Sequence, residues 1–161
     1  MKNRNIKAGD DWATPPEYFA ALDKQFNFDF DPCPLEPDFD GLEVDWGERN
    51  FVNPPYSRKL KEAFVKKAIA EAKKGKLCVC LLPVSTSTQL FHKHILPNAQ
   101  DIIFIEGRLC FQGVTTKGDY VKDKVGMFDS MLVIFDGHRN ASPRSTKAIS
   151  TLNQCKPWYT K

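Results

Sequence analysis

The apolar positions along the chain change period several times, and each change marks an element. Phe26, Phe28 and Phe30 alternate with Asn27, Asp29 and Asp31. That period of two predicts a strand ending at Asp31, where Pro32 and Pro34 stop it. A short apolar pair, Phe51-Val52, then leads into Asn53-Pro54-Pro55-Tyr56. From Ser57 the period becomes helical. Leu60, Phe64, Ala68 and Ala72, with Val65 and Ile69, make one stripe over residues 57–74, with Ser57 as cap and Gly75 as stop. Leu77-Cys78-Val79-Cys80-Leu81-Leu82 is continuously apolar, as in a strand buried on both faces. Ile102–Ile105 and Ser130–Phe135 read as two further strands. Near the start, Tyr18 or Phe19, Leu22 and Phe26 recur at helical spacing behind Thr14-Pro15-Pro16-Glu17. This predicts Thr14 as N-cap, Pro15 at the first helical position and Glu17 closing a capping box.

Strand, helix, strand across residues 51–84 makes a right-handed parallel crossover the default. The expectation is one α/β domain over residues 1–161, with its core at about 11–136 and a polar tail at 137–161. Residues 35–49 read as loop, and residues 88–95 as a short helix. Residues 111–130 read as a mobile insertion between antiparallel neighbours.

Composition narrows the classes. The chain has 161 residues, 42% of them hydrophobic, enough for a sizeable core. No apolar run approaches the ~20 residues of a membrane span, so no membrane partner is expected. The basic start, Met1 to Asn5, lacks the apolar region of a signal peptide. Five cysteines without a C-x-x-C pair predict reduced thiols in a cytoplasmic protein. No metal is expected. His92 and His94 stand two apart, off any shared helix face, and the acids of residues 35–48 lack the spacing of a calcium loop. The net charge is only +3, but it is unevenly spread: residues 25–48 carry eight acids and no Lys or Arg, whereas residues 58–76 carry eight Lys or Arg and two acids. An acidic and a basic segment therefore flank the central tetrapeptide.

That tetrapeptide sits where a buried strand passes into a helix, the place where open α/β sheets bind ligands. Each proline holds the residue before it in an extended conformation and has no N–H to donate. The Asn53 side chain and the Pro54 carbonyl are stiffly held acceptors, and Tyr56 adds a flat ring. This set suits a planar aromatic group bearing an amine. Two acceptors taking its two N–H groups draw the nitrogen lone pair out of the ring, while Tyr56 stacks and holds register.

Taken together, several stretches resemble the phage-type DNA N6-adenine methyltransferases (Dam-like). They are Asp11-Trp12-Ala13-Thr14-Pro15, Asp29-Phe30-Asp31, Asp40-Gly41-Leu42, Asp45-Trp46, Asn53-Pro54-Pro55-Tyr56, Leu82-Pro83, Gly107-Arg108-Leu109-Cys110-Phe111 and Ser130-Met131-Leu132-Val133. The resemblance covers residues 11–135. It implies a Rossmann-like S-adenosylmethionine-dependent methyltransferase fold: a mostly parallel sheet with an antiparallel edge hairpin and helices on both faces. It implies S-adenosylmethionine as methyl donor and adenine flipped from DNA as acceptor, in the cytoplasm of a bacterial or phage-infected cell. Asn53, Pro54, Pro55 and Tyr56 carry over as the catalytic motif. Trp12, Thr14, Asp31, Pro32 and Asp40 carry over as cofactor residues, although the glycines usual after the Asp-Pro pair are absent. Other acceptors, an RNA base or protein glutamine, are the alternative for the same motif, and a non-catalytic nucleic-acid-binding protein is the alternative for the fold. So short a chain has little length for target recognition, which implies a relaxed target sequence or a homo-oligomer.

Overall fold

The long apolar run becomes β3 (Leu77–Pro83), buried at every position. The computed structural model describes residues 12–114, 119–126, 128–139 and 145–150. Within them β3 lies between β2 (Arg49–Val52) and β7 (Ser130–Asp136) in a five-stranded sheet, completed by β4 (Asp101–Glu106) and β8 (Ser145–Ser150) in the order β2-β3-β7-β4-β8. Burial on both faces explains why β3 and β7 show no alternation: even-numbered and odd-numbered residues enter different cores. Cys78, Cys80, Leu82, Val133 and Phe135 pack with α2 (Arg58–Lys73), whereas Val79, Leu81, Leu132 and Ile134 pack with Tyr18 and Leu22 of α1 (Pro16–Phe26).

The expected Rossmann-like, mostly parallel sheet is not what forms. β2 and β3 are parallel, joined through α2, but β7 runs antiparallel to both β3 and β4, and β4 and β8 are parallel again. The sheet is mixed, and its central strand opposes both neighbours. Each parallel pair needs a long crossover, and among the described residues only the β2–β3 link is one built on a full-length helix. After β3 the chain makes only a π-helical turn (Phe91–Ile95) and α3 (Leu96–Asn98) before β4. Among the described residues each face therefore carries a single helix of any length, α2 on one and α1 on the other, in place of the expected helical layers. The antiparallel neighbours expected around residues 111–130 are present as β4 and β7, but β8 lies beyond β4, so they are not an edge hairpin. A second, three-stranded sheet in the order β1-β5-β6 contains β1 (Trp12–Ala13), β5 (Cys110–Val114) and β6 (Tyr120–Val125), all antiparallel. The stretch read as an insertion at 111–130 supplies much of it. Residues 145–150, inside the stretch read as a polar tail, form β8; Trp158 and Tyr159 lie outside the described residues.

The predicted strand ending at Asp31 reduces to one parallel bridge, Phe30 to Asn50. It still prolongs the sheet past β2, because Phe51 N–H donates to the Phe30 carbonyl at 3.0 Å. Asp31 and Asn53 therefore follow adjacent parallel segments at one end of the sheet.

The acidic segment lies along α2, where lysines reach its backbone carbonyls. Lys67 Nζ donates to the Leu42 and Val44 carbonyls at 2.8 and 2.6 Å and sits over the Trp46 ring. Lys76 Nζ donates to the Trp46 carbonyl at 2.6 Å. Trp46 is buried against Phe64 and donates to the Gly41 carbonyl at 2.7 Å. Gly41 is required there, since a Cβ would stand 2.0 Å from the Pro32 carbonyl oxygen. Cys78 and Cys80 are buried small residues of the core. Burial pushes the Cys78 thiol up to about 12 and Cys80 well above its usual value, so both stay neutral. Cys33, Cys78 and Cys80 are free thiols. No helix among the described residues is long and apolar enough to cross a membrane.

Candidate active site

β2 ends at Val52, and the two prolines that follow are buried. They carry the chain stiffly to Ser57, where α2 begins. Asn53 and Tyr56 remain partly exposed on either side of them. A cavity of about 210 Å³ opens here. Asn53, Pro54, Pro55 and Tyr56 line one wall, and Trp12, Thr14, Phe19, Asp31 and Cys33 contribute to the others. Chain segments far apart in sequence thus meet at the carboxyl end of two adjacent parallel segments.

The Asn53 amide has a defined orientation. Its Nδ2 donates to the Trp12 carbonyl at 2.8 Å and to Thr14 Oγ1 at 3.1 Å. An amide nitrogen has two N–H donors and its oxygen has none, so both donors are used and Oδ1 is turned away from these partners. Trp12 is itself positioned by β1, whose residues pair with Gly113 and Gln112 of β5. The second sheet therefore fixes the side chain that follows β2 in the first.

Thr14 departs from its expected role. α1 starts at Pro16 with Pro15 as N-cap, and no side chain caps the helix. The Thr14 hydroxyl instead meets Asn53. No signal in the local pattern distinguishes these uses, because a cap and a site residue at this place are both Thr before Pro.

Tyr56 has two different ends. Its ring meets Phe111 edge to face, with centroids 6.2 Å apart and planes at 82°. Its hydroxyl is buried and has no hydrogen-bond partner among the described residues. Burial pushes the phenol pKa up, so it carries no charge near neutral pH and cannot serve as a ready base.

Asp31 lines the cavity, and its Oδ1 accepts the Cys33 backbone N–H at 2.7 Å. Pro32 and Asp40 do not line it. Asp40 Oδ1 accepts the Leu42 N–H at 2.9 Å, and its carbonyl takes the Glu43 and Val44 N–H groups. It anchors its own turn. Phe19, Cys33, Pro34 and Leu35, which the sequence does not single out as site residues, also line the cavity, with Ala13, Pro16 and Phe51. Among the described residues no group of three or more His, Cys, Asp or Glu side chains is placed to hold a metal.

The lining fits a methyl donor of the S-adenosylmethionine type in chemistry. Trp12, Phe19 and the prolines offer flat apolar walls, and the Asp31 carboxylate offers an acceptor for hydroxyl or ammonium groups.

Comparison with known proteins bears on what such a site serves. A protein from Haemophilus phage HP1 (strain HP1c1), described as a DNA N-6-adenine-methyltransferase, is 36% identical over 121 residues, 65% of this chain and 68% of that protein. A protein of the same description from Escherichia phage T1 is 35% identical over 113 residues, 62% of this chain and 46% of that protein. The chain therefore spans about two thirds of one relative and less than half of the other. No solved structure matches the chain. The family model for DNA N-6-adenine-methyltransferase (Dam) matches residues 2–156, nearly the full length, and the chain belongs to that family.

Proposed function

We propose that the protein transfers a methyl group from S-adenosylmethionine to the N6 amine of adenine in DNA, with Asn53, Pro54, Pro55 and Tyr56 as the catalytic motif. The observation that carries the reading is the anchored Asn53 amide. With Nδ2 committed to Trp12 and Thr14, Oδ1 is left as an acceptor beside the cavity. The Asn53 oxygen and the Pro54 carbonyl each accept one N–H of the substrate amine, which draws its lone pair towards the reacting carbon. Tyr56 stacks on the base and holds the amine in line. S-adenosylmethionine, when bound, supplies an electrophilic methyl group; Asp31 and the aromatic walls of Trp12 and Phe19 are the residues to hold it. After transfer the amine carries one proton too many, and water takes it, since neutral Tyr56 is no base. The adenine must leave the duplex to reach this site, which costs a few kcal/mol of stacking and pairing.

One experiment tests the reading. The protein is incubated with labelled S-adenosylmethionine and, separately, DNA, RNA and a glutamine-bearing release-factor-type protein. Nucleosides and peptides are then digested and identified. Label in N6-methyladenine of DNA is the expected result. Label in RNA or glutamine, or none with the cofactor bound, overturns it.

Thr14 gives a finer check. Thr14→Val keeps the shape and removes the hydroxyl that receives Asn53 Nδ2. Losing one such bond, worth about 0.5–1.5 kcal/mol, is expected to lower the single-turnover rate roughly 2- to 13-fold with cofactor affinity unchanged. A drop in cofactor affinity with the rate preserved assigns Thr14 to the cofactor instead.

A further inference from the structure

A larger cavity, of about 470 Å³, lies between α2 and the loop that follows β3. Arg58, Lys61, Lys93 and His94 line it, with Glu62 as its one acid. Glu62 is already engaged, since Lys66 Nζ stands 2.7 Å from its carboxylate. Lys93 Nζ donates to the neutral Gln89 Oε1 at 3.3 Å, and among the described residues it forms no salt bridge with a carboxylate. Leu82 and Met131 supply an apolar floor and Ser85 a hydroxyl. Leu82 and Pro83 close β3, which is parallel to β2 with Val52 opposite Cys80. The cavity therefore opens at the same end of the sheet as Asn53, one strand further on.

We propose that this cavity binds a backbone phosphate of the DNA strand that carries the target adenine. The inference rests on the DNA reading above and adds a site to it. Cations drawn from two elements, α2 and the π-helical turn, converge on one concave space in which a single acid is already neutralised. That arrangement suits a compact anion presented by a larger body. A base turned into the Asn53 cavity stays covalently tied to its own phosphates, so a neighbouring cationic cavity on the same face holds the strand while the base is out. Phosphate contacts of this kind fix position and register without reading sequence.

The test uses the full-length protein and a labelled duplex. DNA affinity, methylation and cofactor affinity are measured for Arg58→Ala, Lys93→Ala, the double variant and Lys93→Met, which keeps an unbranched stem of similar length without the charge. Lys59→Ala is the control: Lys59 is exposed on the same helix but lies outside the cavity lining. The double variant is expected to bind DNA roughly tenfold more weakly, with the slope of log affinity against log salt reduced by about one, as for one lost phosphate contact. Cofactor affinity should stay at the wild-type value, and Lys59→Ala should do little. If the wild type methylates DNA while the cavity variants keep affinity and slope, or lose no more than Lys59→Ala does, the phosphate site is wrong and the methyltransferase reading stands. If the wild type neither binds nor methylates DNA, both fall.

Discussion

Asn53→Ala is expected to slow methyl transfer by about a hundredfold or more, the usual cost of removing one preorganised polar group from a reacting centre. Cofactor affinity should be almost unchanged. The expectation follows from the geometry of the amide. Both of its N–H groups are spent on Trp12 and Thr14, so the atom facing the substrate is an oxygen that accepts and cannot donate. Alanine deletes the acceptor and also leaves the Trp12 carbonyl and Thr14 hydroxyl without their donor. The Thr14 hydroxyl is near the cavity and can turn to water, so the fold should survive. Rapid-quench single-turnover assays, with cofactor binding measured separately, give the two quantities. A variant that transfers methyl at the wild-type rate would remove Asn53 from the chemistry.

Tyr56 carries the second large effect, and two substitutions separate its ring from its hydroxyl. Tyr56→Ala removes the stacking surface. A base–aromatic stack is worth about 1–3 kcal/mol, and a loss of roughly 5- to 160-fold in transfer rate or DNA half-saturation is expected. Tyr56→Phe should retain most of the activity. The Tyr56 hydroxyl is buried and accepts or donates no hydrogen bond among the described residues, so phenylalanine discards a polar group that gains nothing from the fold. The Phe variant is expected to be at least as stable as the wild type in thermal unfolding. Equal and severe losses in both variants would mean that the hydroxyl meets the substrate directly, and the stacking role would have to be given up.

The parts of the fold that were legible in the sequence are those that local pattern determines. The run from Leu77 to Leu82 declared a doubly buried strand, and the stripe from Leu60 to Ala72 declared α2 almost to the residue. The direction of a strand is not a local property. Ser130–Phe135 has the same composition whether it runs with its neighbours or against them, and β7 runs against both. β1 has two residues and no period to detect. β5 and β6 are interrupted by Gln112, Gly113, Lys122 and Lys124, which read as loop because strands outside the main core need not alternate cleanly. At the cavity, the place of Asn53 to Tyr56 in the lining is legible because two prolines in succession leave few backbone conformations. Phe19 and Leu35 were missed because nothing in an apolar side chain marks it as lining a cavity. Thr14 was found for two reasons of which only the helix cap was physical, and that one did not hold.

The hold on Asn53 has a consequence for how the protein loses function. Its partners Trp12 and Thr14 stand 41 and 39 residues away in the chain, on a segment whose only strand pairing among the described residues is the two-residue β1, with Trp12 packed against the core beside α1. Short peripheral pairings open at a lower free energy than the core does. Each opening of β1 releases the amide to rotate while β3 and β7 stay closed. Denaturant should therefore abolish activity before it changes the far-ultraviolet circular dichroism, and the amide protons of residues 12–14 should exchange with solvent far sooner than those of residues 77–83. The orientation of Asn53 is thus expected to behave as a separate, weaker cooperative unit resting on a durable sheet.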